Sequence, residues 1–379
     1  MPRLRVDTPK AGRPQARNRE EQYMVGMRDV AKKAGVSVST VSLVVNASGY
    51  VSDEMRSKVE RAMHELDYIP NELARNLYRG RTSLVGVIVP TLRHPFFATL
   101  VSALQGRLSQ RNLQTLLCAT DDADTGEAEY VGRLRRHMMD GIIMAAHTDH
   151  PADYWESIGR PVVAFDRVLG DTIATVRSDH EQGGRLIARQ LVGTGARHVV
   201  MVGGPRKQFD DRGDGVTTFP TVRYFQMLGR QCDAAGIRHE YVESGAVSDV
   251  AGCVQAVHAL FDRIEPAIRG VRDGGDAVPV DAIVGSDVVA SCVVREALSR
   301  GLRVPQDLQV IGYDGTYLAD CAGMTLSVVR QDFDTLSERL ADHIVDAIDH
   351  TGDSASEPTG VVDIVPVSLR TGDTTRPVA

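Results

Sequence analysis

The chain has 379 residues, of which 42% are hydrophobic and 25% charged, so it is long enough for two or three domains with sizeable cores. No apolar run reaches the roughly 18 to 20 residues of a membrane span, and no signal-peptide core is present, so we expect a cytoplasmic protein without a membrane partner. The net charge of -7 hides an asymmetry, because residues 1–81 hold 15 Lys and Arg against 10 Asp and Glu, whereas the remainder holds 28 against 40. A basic head on an acidic body is expected when only the head contacts nucleic-acid phosphates.

Residues 1–25 form a segment that is rich in Arg, Pro and Gln and has no apolar run. Such a segment cannot bury enough surface to offset the entropy of ordering, so we expect a disordered basic tail. Its arginines favour nonspecific phosphate contact. An incidental extension, or a true start at Met24 or Met27, is an equally good interpretation.

Residues 26–70 carry a three-helix pattern. Apolar residues at helical spacing predict a first helix that ends before Gly35, a second that Ser37 caps and a third that Ser52 caps. Two helices of about eight residues, joined by a short turn that contains glycine, are typical of a helix-turn-helix, whose second helix enters the DNA major groove. We therefore predict a DNA-binding domain over 26–70.

The second predicted helix would supply the side chains that read DNA. Its exposed face carries Val38, Ser39, Ser42 and Leu43, with Thr40 near the DNA backbone. Valine and leucine cannot form hydrogen bonds but can contact a thymine methyl, whereas serine can reach a phosphate or a base edge. We therefore predict weak readout of guanine. In the competing interpretation, the basic residues of this region only solvate helix surfaces.

Residues 71–82 are predicted to be a hinge helix and linker. They hold good helix formers, yet a helix this short is marginal alone in water. We expect it to form only when a partner stabilises it.

From residue 83 onward, apolar runs alternate with amphipathic helices, such as the one predicted over 97–109. This alternation indicates doubly wound parallel α/β sheets in two lobes. We place one lobe at about 83–178 and 332–366, and the other at about 179–330 and 367–379. The predicted strands cover 84–89, 114–118, 141–144, 161–165, 198–202, 281–284 and 309–313.

Polar residues follow several of these strands, at the edge of an open α/β sheet where ligands bind. We therefore predict one ligand cleft between the lobes. The residues are Arg93, His94, Asp166, Arg167, Ser286, Asp287 and Asp314. Asp287 has a simpler alternative role as the cap of the helix that follows it.

The chain has no motif that suggests an enzyme. It lacks a Walker A sequence, Gly-x-Ser-x-Gly and HExxH. Its five cysteines show neither CxxC nor metal-ligand spacing, so we expect small core residues and no metal, disulfide or cofactor. These cysteines are Cys118, Cys232, Cys253, Cys292 and Cys321.

The head resembles the LacI/GalR transcription regulators. The matching segments are DVAKKAGVS at 29–37, TVS at 40–42, VVN at 44–46 and YIPN at 68–71. The resemblance implies DNA contacts from Val38, Ser39, Thr40, Ser42, Leu43, Asn46, Tyr50, Asn71, Ala74, Arg75 and Leu77. It further implies that the hinge helix folds on DNA and that Leu77 wedges between base pairs of the minor groove, which kinks the duplex. The alternative makes Leu77 a packing residue.

The resemblance also implies an effector-binding core similar to periplasmic sugar-binding proteins. Asp166, Arg223 and Asp314 then bind sugar hydroxyls through charge-assisted hydrogen bonds. Neighbouring cleft positions are Ser286, Asp287 and Gln331, and an apolar face comes from His94, Phe96 and Phe97. The chain departs from the family at Gln226, where the family usually has glycine, and in a long charged segment at 205–220, which we expect to reshape the pocket.

The sequence thus predicts a DNA-binding transcription regulator, most simply a repressor, which binds a pseudo-palindromic operator as a homodimer. A small effector, a sugar or sugar derivative, would control it from the cleft. The alternative is a cytoplasmic sugar-binding protein or sugar-modifying enzyme whose helical head does not read DNA.

Overall fold

A computed structural model describes most of the chain as two compact units, which divide at Gly80 and Arg81. No helix in this part of the chain is long and apolar enough to cross a lipid bilayer. The described residues are 25–46, 48–70, 80–121, 126–211, 217–269, 278–351 and 360–378. Most of the predicted tail and hinge helix lies outside these ranges.

The first unit contains three short helices, α1 (Met27–Ala34), α2 (Val38–Asn46) and α3 (Asp53–Glu65). Gly35 ends α1 in the left-handed region, with φ of 67°. Both predicted caps are present, because the Ser37 hydroxyl accepts from the Thr40 N–H at 3.1 Å and that of Ser52 accepts from the Met55 N–H at 3.4 Å. The core is small and consists of Val30, Ala31, Val41, Val44, Val59 and Ala62.

The first lobe of the second unit is built on a six-stranded sheet. Its elements are β1 (Leu84–Val89), α4 (Pro95–Gln110), β2 (Gln114–Ala119), α5 (Glu127–Arg135), β3 (Gly141–Met144), α6 (Ala152–Glu156), β4 (Val162–Phe165), β5 (Thr175–Ser178), α12 (Phe333–Asp349) and β11 (Val362–Val365). Every strand pair in the sheet is parallel, in the order β11-β5-β4-β3-β1-β2.

The second lobe carries a matching sheet, in the order β12-β10-β9-β8-β6-β7, in which only β12 is antiparallel to its neighbour. Its elements are α7 (His180–Gly193), β6 (His198–Gly203), α8 (Arg223–Ala234), β7 (Arg238–Glu243), α9 (Val250–Ile268), β8 (Ala282–Ser286), α10 (Asp287–Ser299), β9 (Gln309–Asp314), α11 (Leu318–Cys321), β10 (Ser327–Arg330) and β12 (Ser368–Arg370). Short 3-10 turns cover Arg206–Phe209 and Pro220–Val222.

The chain passes between the lobes three times, after Ser178, after Arg330 and after Val365. Because the chain returns to the first lobe after Arg330, helix α12 packs its apolar side, with Leu336 and Leu340, on that lobe. Three connections place the carboxyl ends of both sheets opposite each other.

All seven predicted strands are present, and the predicted doubly wound parallel sheets in two lobes are confirmed. Five further strands were not predicted. β5 and β10 are four residues long and include an arginine each, and β7, at a sheet edge, carries Arg238, Glu240 and Glu243. Short or edge strands need no continuous apolar run.

Candidate effector cavity and DNA-binding face

A cavity of about 930 Å³ lies between the lobes, beyond the carboxyl ends of the strands. Seven of the nine predicted effector contacts line it. They are His94, Phe96, Phe97, Asp166, Ser286, Asp314 and Gln331. These seven residues therefore share one cavity, and their contact with an effector stays a prediction.

Arg223 differs from the prediction, because it does not line the cavity. Arg223 is the first residue of α8, and its Nη1 lies 3.1 Å from Glu181 Oε1, in the first turn of α7. The 3-10 turn that precedes α8 sets this direction. The Arg223 guanidinium thus ties two packed helices of the second lobe together.

Asp287 also differs from the prediction of an effector contact. It is 1% exposed and lies outside the cavity lining. Its Oδ2 accepts hydrogen bonds from the Thr316 N–H at 2.6 Å and the Thr316 hydroxyl at 2.8 Å. It does not cap α10 either, because the Ser286 hydroxyl accepts the Val289 N–H. Asp287 therefore fixes the turn after β9.

The Asp166 carboxylate is held by two fully or nearly buried groups. His180 Nε2 lies 2.8 Å from Asp166 Oδ1, and His180 Nδ1 lies 2.7 Å from the Tyr313 hydroxyl. Asp166 itself has a φ of 47°, in the left-handed region where non-glycine residues are uncommon. Backbone strain of this kind persists where the surroundings fix a residue, often at binding sites. The two hydrogen bonds that link Tyr313, His180 and Asp166 therefore set the direction of the Asp166 carboxylate on the cavity wall.

A second set of hydrogen bonds runs through Gln331, which comes directly after Arg330, where the chain passes from the second lobe to the first. We call these two sets of hydrogen bonds the relays. Its side-chain N–H donates to Asp314 Oδ1 at 2.9 Å, and its Oε1 accepts the Ser178 hydroxyl at 2.6 Å. Asp314 also has a strained backbone, with φ of 120°. Ser178 belongs to the first lobe and Asp314 to the second, so this relay connects the two sheets.

Asp314 on the cavity wall and Asp287 behind it are buried carboxyl groups, and burial makes their charged forms energetically costly. Burial raises the pKa of Asp314 well above its ordinary value, and the neighbouring Asp287 raises it further. Burial likewise raises the pKa of Asp287 to about 6. A ligand hydroxyl that donates to Asp314 would replace the water that this carboxylate has lost.

Aromatic residues of the first lobe line the same cavity as Asp314. Phe96 stacks on Phe165, with ring centroids 5.8 Å apart, and Phe97 meets Phe96 edge-on at 5.2 Å. His94 precedes α4, and burial lowers its pKa to about 4, so its ring is neutral near pH 7. Its Nδ1 has no hydrogen-bond partner among the described residues. The wall therefore offers apolar ring faces and one neutral nitrogen.

Arg167, which the sequence placed at the cleft without an effector contact, and Phe219, which it did not single out, both line the cavity. The buried Arg167 guanidinium donates to the Ala146 and Asp166 carbonyls, and its Cζ lies 4.8 Å from the Phe219 ring centroid. Burial lowers the Arg167 pKa to about 10, so it stays charged. The signal for Arg167 was its place next to Asp166, whereas Phe219 lies in an irregular segment with no such signal.

Phe219 belongs to the long segment that was expected to reshape the pocket. Its ring lies 4.7 Å from that of His147 in the first lobe, and the Val168 N–H donates to the Thr218 carbonyl at 3.3 Å. The described parts of 205–220 also contribute Lys207 and other lining residues. This segment of the second lobe thus contacts the first lobe at the cavity.

In the first unit, the predicted DNA-binding face is only partly exposed. Val38 is 44% exposed and Tyr50 94%. Ser39 is also exposed, whereas Thr40, Ser42 and Leu43 are half-buried. Asn46 differs from the expectation of a DNA contact, because it is 7% exposed and donates to the Ser42 hydroxyl at 3.1 Å. The predicted hinge contacts Asn71, Ala74, Arg75 and Leu77 lie outside the described residues.

Two basic residues of the first unit form surface ion pairs. Lys33 lies 2.9 Å from Glu65, and Lys58 lies 2.8 Å from Glu54. Hydrogen bonds from these lysines lower the pKa of both glutamates. Each of these two lysines therefore has a carboxylate partner on the surface of the first unit.

Comparison with known proteins gives matches over both units. The model of bacterial regulatory proteins of the lacI family matches residues 26–71, and that of the periplasmic binding protein-like domain matches residues 172–375. The sucrose operon repressor of Streptococcus mutans is 30% identical over 92% of this chain and 98% of its own length. The ribose operon repressor of Halalkalibacterium halodurans is 32% identical over 84% and 89%.

The chain belongs to the lacI family of bacterial regulatory proteins. Among solved structures, the lac repressor dimer bound to operator and the anti-inducer ONPF matches with a TM-score of 0.73 and 26% identity, over 93% of this chain and 99% of that one. The transcriptional regulator CelR in complex with cellobiose matches with a TM-score of 0.62 and 26% identity, over 92% and 99%.

Membership of the lacI family confirms the predicted DNA-binding regulator and the prediction that the chain is not an enzyme. The match at 26–71 includes the head itself. The alternative in which the head is incidental to a sugar-binding protein or enzyme is therefore not supported.

Proposed function

We propose that this protein is an operon repressor that acts in the cytoplasm, binds a pseudo-palindromic operator as a homodimer and is released by a neutral sugar of about disaccharide size. The relatives named sucrose and ribose operon repressors support the regulatory role. The operator-bound lac repressor dimer supports the assembly. Twofold proteins read twofold sites, and a single head of three short helices offers few contacts.

The observation that carries the effector class is the chemistry of the cavity. Asp166 and Asp314 are fixed by buried partners and accept hydrogen bonds, while Phe96 and Phe97 offer apolar ring faces. Hydroxyl donors around a ring with an apolar C–H face match both features. The complex of CelR with cellobiose shows that a matching protein binds a sugar.

The charge of the cavity lining and the volume of the cavity narrow the class of effector. The described lining holds seven aspartates against one arginine and one lysine, so an anionic sugar phosphate would meet net repulsion. A volume of about 930 Å³ lies near the upper end of the range of roughly 300–1,000 Å³ for small-molecule pockets. Both properties favour a neutral sugar of more than one ring.

The relays suggest how the effector acts on the head. Ser178, Gln331 and Asp314 connect the lobes beside two of the chain crossings, so a ligand that binds Asp314 acts on the group that joins the sheets. Binding shifts the equilibrium between lobe arrangements only when affinities differ between them. Such a shift would change the spacing of the two heads in the dimer, through the hinge contacts predicted at Ala74, Arg75 and Leu77.

Thermal unfolding of the purified chain with a panel of sugars tests the proposal. A neutral disaccharide at a hundred times its Kd is expected to stabilise the protein by about 2.7 kcal/mol, whereas the phosphate esters give no shift. The sugar that raises Tm should also release the protein from its operator. A shift from sugar phosphates alone, or from no sugar in the panel, would contradict the proposed effector.

A further inference from the structure

The second unit begins with a short segment, residues 81–83, which follows Gly80 and leads into β1. The side chain of Asp140, directly before β3, holds this segment. Its Oδ1 accepts from the Thr82 N–H at 2.8 Å and from the Thr82 hydroxyl at 2.9 Å. Its Oδ2 accepts from the Ser83 N–H at 2.7 Å and lies 3.1 Å from the Thr82 nitrogen. One carboxylate therefore binds two successive backbone amides, and hydrogen bonds to a charged acceptor are the strong ones.

The backbone of this segment has an uncommon conformation. Ser83 has a φ of 58°, in the left-handed region that residues other than glycine seldom adopt. Such a conformation persists where the surroundings fix it. Besides Asp140, the sheet does so, because the Ser83 carbonyl accepts from the Gln114 N–H at 2.7 Å and the Leu84 carbonyl accepts from the Asp140 N–H at 2.8 Å. Residues 81–83 are therefore fixed to the first lobe.

Arg81 joins the same segment to the end of helix α12. Its Nη1 lies 2.8 Å from Asp349 Oδ1, and its Nη2 donates to the Ile348 carbonyl at 3.4 Å. The last carbonyls of a helix lack partners within the helix and carry negative partial charge, so a guanidinium is favourable there. The start of the second unit is thus held at the carboxyl end of α12.

The other end of α12 lies beside the effector cavity. The helix begins at Phe333, two residues after Gln331, which lines the cavity and belongs to one of the relays. Its 17 residues span about 25 Å. Its apolar side is buried in the core of the first lobe along the helix, from Leu336 to Ile348. The cavity relay and residues 81–83 are therefore connected by one helix that is packed on one lobe.

We propose that Asp140 and Arg81 are positioning residues of the repressor, which fix the linker of the head to the first lobe, so that a movement of this lobe on sugar binding reaches the DNA-binding unit. Neither residue lines the cavity, and both belong to the second unit. Both therefore act through the linker, to which Arg81 is covalently joined. A loosely tethered linker would absorb a change of the angle between the lobes, because a flexible chain adopts many end-to-end distances. This inference rests on the proposed function, because it concerns release by a sugar.

Two substitutions weaken this attachment, and a third is the matched control. Arg81→Ala removes the contacts with α12, and Asp140→Asn keeps the side-chain shape but exchanges one acceptor oxygen for an NH2 group. Arg107→Ala is the control, because Arg107 of α4 also pairs with an acidic side chain of α12, Glu338 at 3.0 Å, but does not belong to the segment that follows the linker. The Arg81 side chain is 52% exposed, so Arg81→Ala decides the matter even if Asp140→Asn folds poorly.

The quantity to measure is the release ratio, the operator Kd with saturating sugar divided by the operator Kd without it. The DNA is the inverted repeat retained from a random pool, and the sugar is the member of a panel with sucrose and cellobiose that raises Tm. The sugar Kd should stay within twofold in all variants. The release ratio should fall about 3- to 30-fold in Arg81→Ala and Asp140→Asn, and stay within twofold of wild type in Arg107→Ala.

A merely structural role would lower Tm and leave the release ratio unchanged. Wild-type release ratios in both variants, or an equal fall in Arg107→Ala, would overturn this inference alone and leave the proposed function intact. A wild-type protein that binds the repeat but that no sugar in the panel releases would contradict the proposed function and this inference together.

Discussion

Replacing Asp314 with asparagine should change effector binding and stability in opposite directions. Asparagine keeps the shape of the side chain and an oxygen that can accept from Gln331, but it removes the negative charge from the cavity wall. A hydrogen bond to a charged acceptor contributes about 1.5–3 kcal/mol and a neutral one about 0.5–1.5 kcal/mol. At pH 8, where the raised pKa leaves Asp314 most ionised within the range from pH 4 to pH 8, Asp314→Asn should therefore weaken sugar binding by about 1–2 kcal/mol, or roughly 5- to 30-fold in Kd.

The ligand-free protein should become more stable. A carboxyl whose pKa is raised on folding contributes stability below its unfolded pKa, near 4, and that contribution is lost as the pH rises through the folded pKa. For Asp287, the change from 3.8 to about 6 corresponds to about 3 kcal/mol at pH 8. The pKa of Asp314 is raised well above 3.8 for the same reason, so its substitution should give a gain that grows from pH 4 to pH 8.

Asp287→Asn is the matched control. It removes a charge from the same acidic cluster but lies outside the cavity lining, and its amide oxygen can still accept from Thr316. It should raise Tm at pH 8 and leave the Kd for sugar within about twofold. Calorimetric titration with the effector, and thermal unfolding at pH 4 and pH 8, measure both quantities. Equal losses of affinity in the two variants, or a lower Tm for Asp314→Asn at pH 8, would refute this reasoning.

Three further substitutions test the DNA-reading helix, the core of the head and the packing of the second lobe. Leu43→Arg should shift the preferred operator toward guanine, because arginine donates to the O6 and N7 of guanine, and an unchanged preference in a selection from random DNA would contradict this. Val41→Ala should destabilise the six-residue core of the head by about 2 kcal/mol and weaken DNA retention, while the sugar-induced Tm shift persists. Gly184→Ala should lower Tm by several degrees, since its Cβ would lie 2.5 Å from the Tyr224 carbonyl oxygen, whereas Gly106→Ala meets open space and should be neutral or stabilising.

Much of the fold could be predicted because its central strands are buried on both faces. The apolar runs at Leu84–Val89 and Gly141–Met144 coincide with β1 and β3. The Thr175–Ser178 strand was missed because polar residues are also buried there, and no periodic pattern marks it. A run of apolar residues thus predicts strands whose surroundings are uniformly apolar. It misses strands whose polar residues are buried by parts of the protein that are distant in the sequence.

The residues of the candidate site likewise divide into those that the sequence could place and those that it could not. The sequence placed Asp166 and Asp314 at strand ends, and in the structure Asp166 follows β4, Asp314 is the last residue of β9, and both line the cavity. Arg223 was expected in the cavity but does not line it, because the direction of its side chain depends on how α8 begins and on the ion pair with Glu181 in another helix. His180 and Phe219 had no sequence signal, since their roles depend on contacts with Asp166 and Arg167 that only the folded lobes create.

Selection from a pool of random duplex DNA is the most direct test of the central claim that this chain is a sequence-specific repressor. The purified protein is incubated with the pool at fixed salt, and the retained DNA is sequenced, because affinities for DNA depend strongly on salt. We expect the retained DNA to share one inverted repeat, and the sugar that raises Tm should then release the protein from it. No enrichment at modest salt, from a protein that still responds to that sugar, would show that the head does not read DNA and would contradict the claim.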